Sequence, residues 1–312
     1  AALAMTDGRW VCGGLDRNGL RPFRYVVTGD GLLIAGSEVG MVPTDEKNVV
    51  EKGALGPGQM IAVDMVEGKL FHDVEIKDAL AAAQPFGEWV GRITELDGAL
   101  ADVTEQPMFA GAELRTRQIA AGFTLEEIEA ILAPMAEDGK EVVASMGDDT
   151  PSAVLSDQYR PLSHYFRQNF SQVTNPPIDS LREYRVMSLK TRFGNLKNVL
   201  DESSSQTEII VLDSPVVGNA QFDKLVANFN APMAEIDCTF PAGAGPTALR
   251  DALERIRSEA EDAVRSGKGH LVMTDQHQGE SRVPMPMILA TSAVHSWLTK
   301  QGLRTFCSLN VR

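Results

Sequence analysis

The chain is short of cysteine, of basic charge and of unbroken apolar runs, and each shortage excludes a class of protein. Only 3 of its 312 residues are cysteine, at Cys12, Cys238 and Cys307. They are too few and too scattered for a disulfide framework, and no Cys-x-x-Cys pair is present from which this chain alone could build a zinc site or an iron–sulfur cluster. The formal net charge is -14, with 29 Lys and Arg against 43 Asp and Glu, and no Lys/Arg-rich block offsets it. Nucleic acid and anionic membrane both reward clustered basic residues, so neither is expected as a partner. The longest apolar stretch, 285–298, is broken by Pro286, Thr291, Ser292, His295 and Ser296, which a spanning helix would avoid. No charged-then-apolar signal opens the chain. A protein of the reducing cytoplasm fits these shortages.

What is present points to packed structure. Hydrophobic residues make up 43% and charged residues 23%, a balance that favours a folded core over disorder. The length suits two domains, or one with an appendage. Apolar strand-like runs lie close to both ends, at Arg9-Trp10-Val11-Cys12 and Phe306-Cys307-Ser308-Leu309-Asn310-Val311. Domains usually begin and end in exposed polar segments, so the chain reads as a slice of something larger.

Residues 1–85 read as β-rich. Phe23 to Thr28 and Leu32 to Ala35 flank Gly29-Asp30-Gly31, and Met60 to Val66 and Lys69 to Val74 flank Glu67-Gly68. Both are hairpin patterns with glycine at the turn. Between residues 86 and 150 the pattern becomes helical. Thr124-Leu125-Glu126-Glu127 is a capping box, followed by a stripe of Ile128, Ile131, Leu132 and Met135 that Pro134 should kink. The acidic residues around the stripe read as a solvated face rather than a metal site, and the region reads as a connector packing between domains.

From residue 151 to 312 the expectation is an α/β domain. Tyr159 to Phe170 suggests a short amphipathic helix carrying Leu162, Tyr165, Phe166 and Phe170. Ile209 to Leu212, Met233 to Cys238, His270 to Met273 and Thr305 to Val311 read as buried strands. Helices are expected between them: one capped by Asn219, one over Pro246 to Val264, one over Met285 to Gln301. Repeated βα units mean a mainly parallel sheet covered by helices, with sites at the carboxyl ends of its strands, which carry Asp213, Thr239 and Asp275. Gly243-Ala244-Gly245 ahead of a helix lacks the further residues of a phosphate-binding motif. His270 and His277 are too far out of register for a helical metal pair.

The stretch Gln172-Val173-Thr174-Asn175-Pro176-Pro177-Ile178-Asp179 organises the second half. Asn175 precedes a proline and is pushed to extended backbone, while Pro176 and Pro177 have fixed φ and no N–H. The carbonyls of Thr174 and Asn175 are thereby left without an obvious local partner. The segment reads either as a loop entering a helix capped by Asp179, or as a rigid rim of acceptors lining a passage for a small polar molecule.

Two sets of motifs carry a resemblance. Leu15-Asp16-Arg17-Asn18-Gly19-Leu20-Arg21-Pro22-Phe23-Arg24-Tyr25, followed by Ser37-Glu38, resembles the closing strands of class II glutamine amidotransferase domains. That family's nucleophile is a Cys at the mature N-terminus, a role Cys12 within a strand cannot fill. Pro134-Met135-Ala136-Glu137-Asp138-Gly139-Lys140-Glu141, Ser145-Met146-Gly147-Asp148-Asp149-Thr150-Pro151 and the Thr174-Asn175-Pro176-Pro177 loop resemble the central domain of glutamate synthase large subunits. The order of the pieces covers essentially the whole chain. The resemblance implies the β-rich end of an N-terminal-nucleophile amidotransferase domain over 1–85, a helical connector over 86–150, and an incomplete α/β central domain over 151–312.

The activity it implies is glutamate formation from glutamine-derived ammonia and 2-oxoglutarate, with no complete active site in this segment. Thr174 and Asn175 map to the rim of the ammonia tunnel. FMN and an iron–sulfur cluster are implied for the full-length enzyme, outside this segment, with FAD and NADPH on a partner subunit where NADPH is the donor. Implied partners are the remaining glutaminase and FMN-binding domains of the same polypeptide, a small electron-transfer subunit or ferredoxin, and further copies in an oligomer. Asp275-Gln276-His277 departs from the Asp-Arg that family members often carry there, so no charge role is assigned to it. The competing reading is a freestanding α/β binding or scaffold protein without catalysis.

Overall fold

A computed structural model describes residues 1–139, 142, 154–157, 160–166, 187–198 and 200–312. The chain divides into two compact units, Ala1–Gly91 and Arg92–Arg312. It is a mixed α/β protein, and among the described residues no helix is long and apolar enough to cross a membrane.

The first unit is built from two antiparallel sheets. One has the order β1 (Ala2–Thr6), β2 (Trp10–Leu15), β6 (Met60–Asp64), β7 (Lys69–His72). The other places β3 (Arg24–Thr28) between β4 (Leu33–Gly36) and β5 (Val49–Ala54). Both expected hairpins form, β3 with β4 around Gly31 and β6 with β7 around Gly68. Leu15, Phe23, Tyr25 and Ile61 join the two sheets in a small core. Close approach here depends on Gly13, because a Cβ at that position would fall 2.3 Å from the Phe23 ring. Helices α1 (Asp73–Ala82) and α2 (Phe86–Val90) follow the last strand.

The second unit contains a three-stranded parallel sheet ordered β11 (Met233–Asp237), β13 (His270–Thr274), β15 (Ser308–Val311). Helix α8 (Ala248–Arg265) follows β11, and α9 (Met287–Lys300) lies between β13 and β15. Both pack on the same face of the sheet, where Ile256, Ala260, Val294 and Leu298 meet Ile236, Leu271 and Met273. Each of the larger side chains contributes about 1.5–3 kcal/mol by leaving water. A short antiparallel pair, β12 (Thr239–Pro241) with β14 (Arg282–Pro284), interrupts the βα repeat.

A second small sheet runs β8 (Thr94–Glu95), β10 (Ile210–Leu212), β9 (Thr191–Phe193), with β8 parallel and β9 antiparallel to β10. Residues 94–101 thus differ from the expectation of a purely helical connector. Strand β8 and helix α3 (Asp97–Ala101) are built into the second unit, with Leu96 and Leu100 buried beside Ile210 and Leu212. Helix α7 (Asn219–Ala227) adds Phe222 and Leu225 to that core. Asn219 is its first residue and not its cap. The cap position is Gly218, and the Glu105 carboxylate accepts the free backbone N–H groups of Ala220 and Gln221 at 3.1 and 2.9 Å.

The connector proper carries α4 (Gly111–Ala120), α5 (Leu125–Glu127) and α6 (Ala133–Asp138). The Thr124 capping box forms as expected. Pro134 produces a π-helical turn over Ile128–Leu132, in which the Ala133 N–H reaches back to the Ile128 carbonyl. Proline has no N–H and clashes with the carbonyl four residues back, and the widened turn absorbs both problems. Of the stripe expected to pack between domains, Ile128 is half-buried and Ile131, Leu132 and Met135 remain exposed. Of the expected 159–170 helix, a 3-10 turn over Leu162–Tyr165 is described. The Thr174-Asn175-Pro176-Pro177 loop, the 145–151 motif and the Asp179 cap lie outside the described residues.

His270, fully buried at the start of β13, is the titratable group most affected by this packing. Its ring stacks on Phe229 at 3.9 Å, and Nε2 donates to Asn230 Oδ1 at 3.1 Å, because the Asn230 amide is oriented by its own bond to the Glu208 carbonyl. Nδ1 is buried with no partner among the described residues, which suits a lone pair better than an N–H. Burial pulls the pKa down to about 4 from 6.5. The unfolded chain therefore binds the proton first, and stability is complete above pH 6.5 and falls as pH drops toward 4, by at most about 3 kcal/mol. His270→Phe should lower stability at pH 7 yet flatten this acid limb. A urea titration series between pH 7 and pH 4 checks it, and an unchanged limb would refute the assignment.

Candidate functional site

In the first unit the two halves of the amidotransferase-like motif come together. The first half is a tight turn in which the Asp16 side chain and carbonyl both accept from the Gly19 N–H, at 2.9 and 3.1 Å. Gly19 has φ +58°, and a Cβ there would fall 2.7 Å from Pro57, so the position excludes larger residues on two counts. The turn delivers Arg21, Pro22 and Phe23 to the start of β3. The second half, Ser37-Glu38, leaves the end of β4. Arg21, Ser37 and Glu38 then line one open cleft of about 930 Å³, whose other walls include Cys12 and Gly13 of β2 and Ala35 of β4. Among the described residues no ion pair joins Asp16 to Arg21, and Asp16 pairs with the N-terminal amine of Ala1. Arg21 is exposed at the cleft, and Cys12 is a half-buried residue within a strand.

Tyr25, which ends the motif, leads to a polar group that sequence reading missed. Its hydroxyl donates to Glu51 Oε1 at 2.8 Å, and His72 Nε2 meets the same oxygen at 2.7 Å. His72 also interacts with Glu75 through Nδ1, at 3.5 Å. The group therefore ties β3 and β5 of one sheet to β7 of the other. Burial together with the Glu51 carboxylate pushes the Tyr25 hydroxyl up to about 12. Glu51 raises His72 above its ordinary value, and the His72 and Tyr25 bonds hold Glu51 below the usual carboxylate range. Glu51 and His72 lie 21 residues apart, and only the sheet pairing brings them together. A second tie is Asp64, whose buried carboxylate takes Arg9 and the N–H groups of Val66 and Glu67, and is held down at about 2 chiefly by Arg9.

In the second unit the three strand-end residues have different surroundings. Thr239 is fully buried: its N–H and hydroxyl donate to Asp237 at 2.9 and 2.6 Å, and Arg282 donates to its hydroxyl and carbonyl. Arg282 also pairs with Asp237 at 2.6 Å, and Arg255 bonds the Asp237 and Thr239 carbonyls. Burial alone would raise the Asp237 carboxyl, but Thr239 and Arg282 bring it below the ordinary value. This arrangement locks the break between β11 and β12. Asp275 follows β13, half-buried, and burial pushes its carboxyl up. Asp213 is exposed and lies 3.6 Å from Lys190. His277 bonds Glu235 at the surface. Ahead of α8 the Gly243-Ala244-Gly245 loop is exposed, and Thr247 bonds Asp251 across the first turn.

The candidate tunnel residues Thr174 and Asn175 lie outside the described residues. Cys238 and Cys307 are buried in the α/β core, and burial pushes the Cys238 thiol up to about 11. Among the described residues no group of three or more His, Cys, Asp or Glu is placed to hold a metal ion.

Comparison with known proteins agrees with this geometry. Residues 1–89 match the family described as Glutamine amidotransferases class-II, and residues 116–312 match Glutamate synthase central domain. The whole chain is 60% identical to 21% of the Glutamate synthase [NADPH] large chain of Azospirillum brasilense. It is 42% identical to 20% of Ferredoxin-dependent glutamate synthase 2 of Synechocystis. Over 99% of the chain it is 36% identical to 15% of Glutamate synthase [NADH] of Saccharomyces cerevisiae. The chain therefore spans about a fifth of the length of the first two relatives and 15% of the third.

The His72 group sets a pH dependence for the first unit. Because its folded pKa lies above the unfolded 6.5, its contribution to stability is complete below pH 6.5 and is lost as pH rises through the folded value. The thermal midpoint difference between the unaltered protein and His72→Gln should be largest near pH 6 and shrink on the alkaline side. A difference that grows with pH would contradict the Glu51 pairing.

Proposed function

The chain belongs to the glutamate synthase family, running from class II amidotransferase residues into the central domain, and from that premise we propose that it is the spacer and conduit between two reactions. In the whole enzyme glutamine releases ammonia at the amidotransferase domain. The ammonia reaches a second site, where it and 2-oxoglutarate are converted reductively to glutamate. The observation that carries this reading is the match of the whole chain, at 60% identity, to a fifth of a glutamate synthase large chain.

Each unit has a part in that scheme. The first forms an edge of the glutaminase domain, with Arg21, Ser37 and Glu38 on its open cleft. The second provides a stiff α/β body whose strand ends are tied down by Arg255 and Arg282. The Thr174 and Asn175 carbonyls, which precede the Pro176-Pro177 pair in the sequence, form part of the tunnel rim. Ammonia donates N–H bonds, so fixed acceptors can orient it while a narrow rim keeps bulk water out.

The redox groups implied for the full enzyme do not fit the residues described here. Cys12 belongs to one unit, Cys238 and Cys307 are buried in the other, and no cradle for a flavin phosphate is formed by the exposed Gly243–Gly245 loop. We assign flavin and iron–sulfur chemistry to other parts of the enzyme, as the family resemblance implies. No step of electron transfer is assigned to this chain.

Thr174 and Asn175 give the test. In the full-length enzyme, replacing either by a residue that reshapes the rim (Thr174→Val, Asn175→Ala) should leave glutamine hydrolysis running while glutamate formation drops, by about tenfold if the affected step loses about 1.4 kcal/mol. The ratio of the two activities is the readout. Unchanged rates and an unchanged ratio would remove both residues from the tunnel.

A further inference from the structure

Among the described residues the parallel sheet leaves a helix-sized groove open beside α9 and β15. Strands β11, β13 and β15 step in one direction across the sheet, and α8 and α9 lie on one face, so the two crossovers have the same hand. On α9, Ala290, Val294 and Leu298 face the sheet, and Trp297 reaches α8, where its Nε1–H donates to Glu261 at 2.7 Å. At 100° per residue, Ile288, Thr291 and His295 fall on the side away from α8. They line a groove of about 590 Å³ with Leu309 and Val311, which share one face of β15. The apolar floor is exposed: Ile288 keeps 58% of its surface and Val311 keeps 51%.

One rim of the groove is polar and oriented. Arg304 donates from Nε to His295 Nδ1 at 3.1 Å and from Nη1 to the Cys307 carbonyl at 2.8 Å. His295 Nδ1 is thus an acceptor, and Nε2 carries the proton. The rim offers N–H donors and a guanidinium charge, which suit a carboxylate beside an apolar stripe.

We propose that this groove is the seat of an amphipathic helix from the longer polypeptide, outside residues 1–312. A third crossover of the same hand, starting from β15, lays a helix there. Its apolar stripe covers Ile288, Leu309 and Val311, and an Asp or Glu beside the stripe meets Arg304. The proposal rests on the reading that this chain is one stretch of a longer protein, for which relatives about five times its length are the support.

The test uses the full-length protein. Ile288→Cys and the nearly isosteric Thr291→Cys are compared with Ser258→Cys on the outer face of α8, and maleimide labelling of the peptides is followed by mass spectrometry. The two groove positions should label at least about tenfold more slowly than Ser258→Cys and recover the full rate in urea, since labelling must wait for local opening. Groove positions that label as fast as Ser258→Cys overturn the proposal. Protection lost on dilution to a monomer also overturns it, because the occupant is then a second copy. If the native protein has the mass of 312 residues, the slice reading fails instead, before any labelling is done.

Discussion

Strand β13 is buried along all five of its residues and has a parallel neighbour on each side, so its side chains must suit two different interiors. Leu271 and Met273 enter the core made with α8 and α9, while Val272 enters the core shared with α7 and the small β8–β10–β9 sheet. That two-sided burial couples the two cores of the second unit through one strand. It also explains why a histidine at the head of β13 stays neutral: the strand carries its ring out of water, and among the described residues only Asn230 offers a polar partner.

A chain with 43 acidic and 29 basic side chains cannot pair every carboxylate with a cation. Several of its carboxylates are met by backbone N–H groups, beside a cation at Asp64 and Asp73 and without one, among the described residues, at Glu105. Asp64 takes two amides in the β6–β7 turn, Glu105 takes two at the start of α7, and Asp73 takes the Met60 amide. Each closes a turn or a helix end that would otherwise leave donors unpaired. The net negative charge is in this way partly a set of local structural ties. The cations that do take part inside the fold, Arg9, Arg255 and Arg282, each bridge more than one acceptor.

Much of the element order was legible. The hairpins around Gly31 and Gly68 and the strand–helix alternation from Ile210 onward follow from turn chemistry and from long apolar periods, which act over neighbouring residues. The strands not foreseen are β1 and β5 in the first unit, with five and six residues, and four short ones in the second: β8 has two residues, and β9, β12 and β14 have three each. Such segments are strands because a partner lies beside them, and no local pattern announces that. Asn219 looked like a cap, yet the amides at that helix end are served by Glu105, more than a hundred residues earlier. The amidotransferase-like residues were legible as a motif, but their convergence on a cleft was not, and the Glu51–His72 contact carried no signal beyond the nearby Tyr25.

By itself, the sequence determined the family, the expectation of a parallel sheet and the positions where backbone is forced, such as Gly19 and the Pro176-Pro177 pair. These depend on φ restrictions, periodicity and the identity of residues in order, all of which are local. Only tertiary structure decided which charged groups meet, that β8 and α3 belong to the α/β unit, and which face of α9 is left open. Those outcomes depend on contacts between residues distant in the chain, where burial and geometry choose among partners that the sequence leaves equivalent.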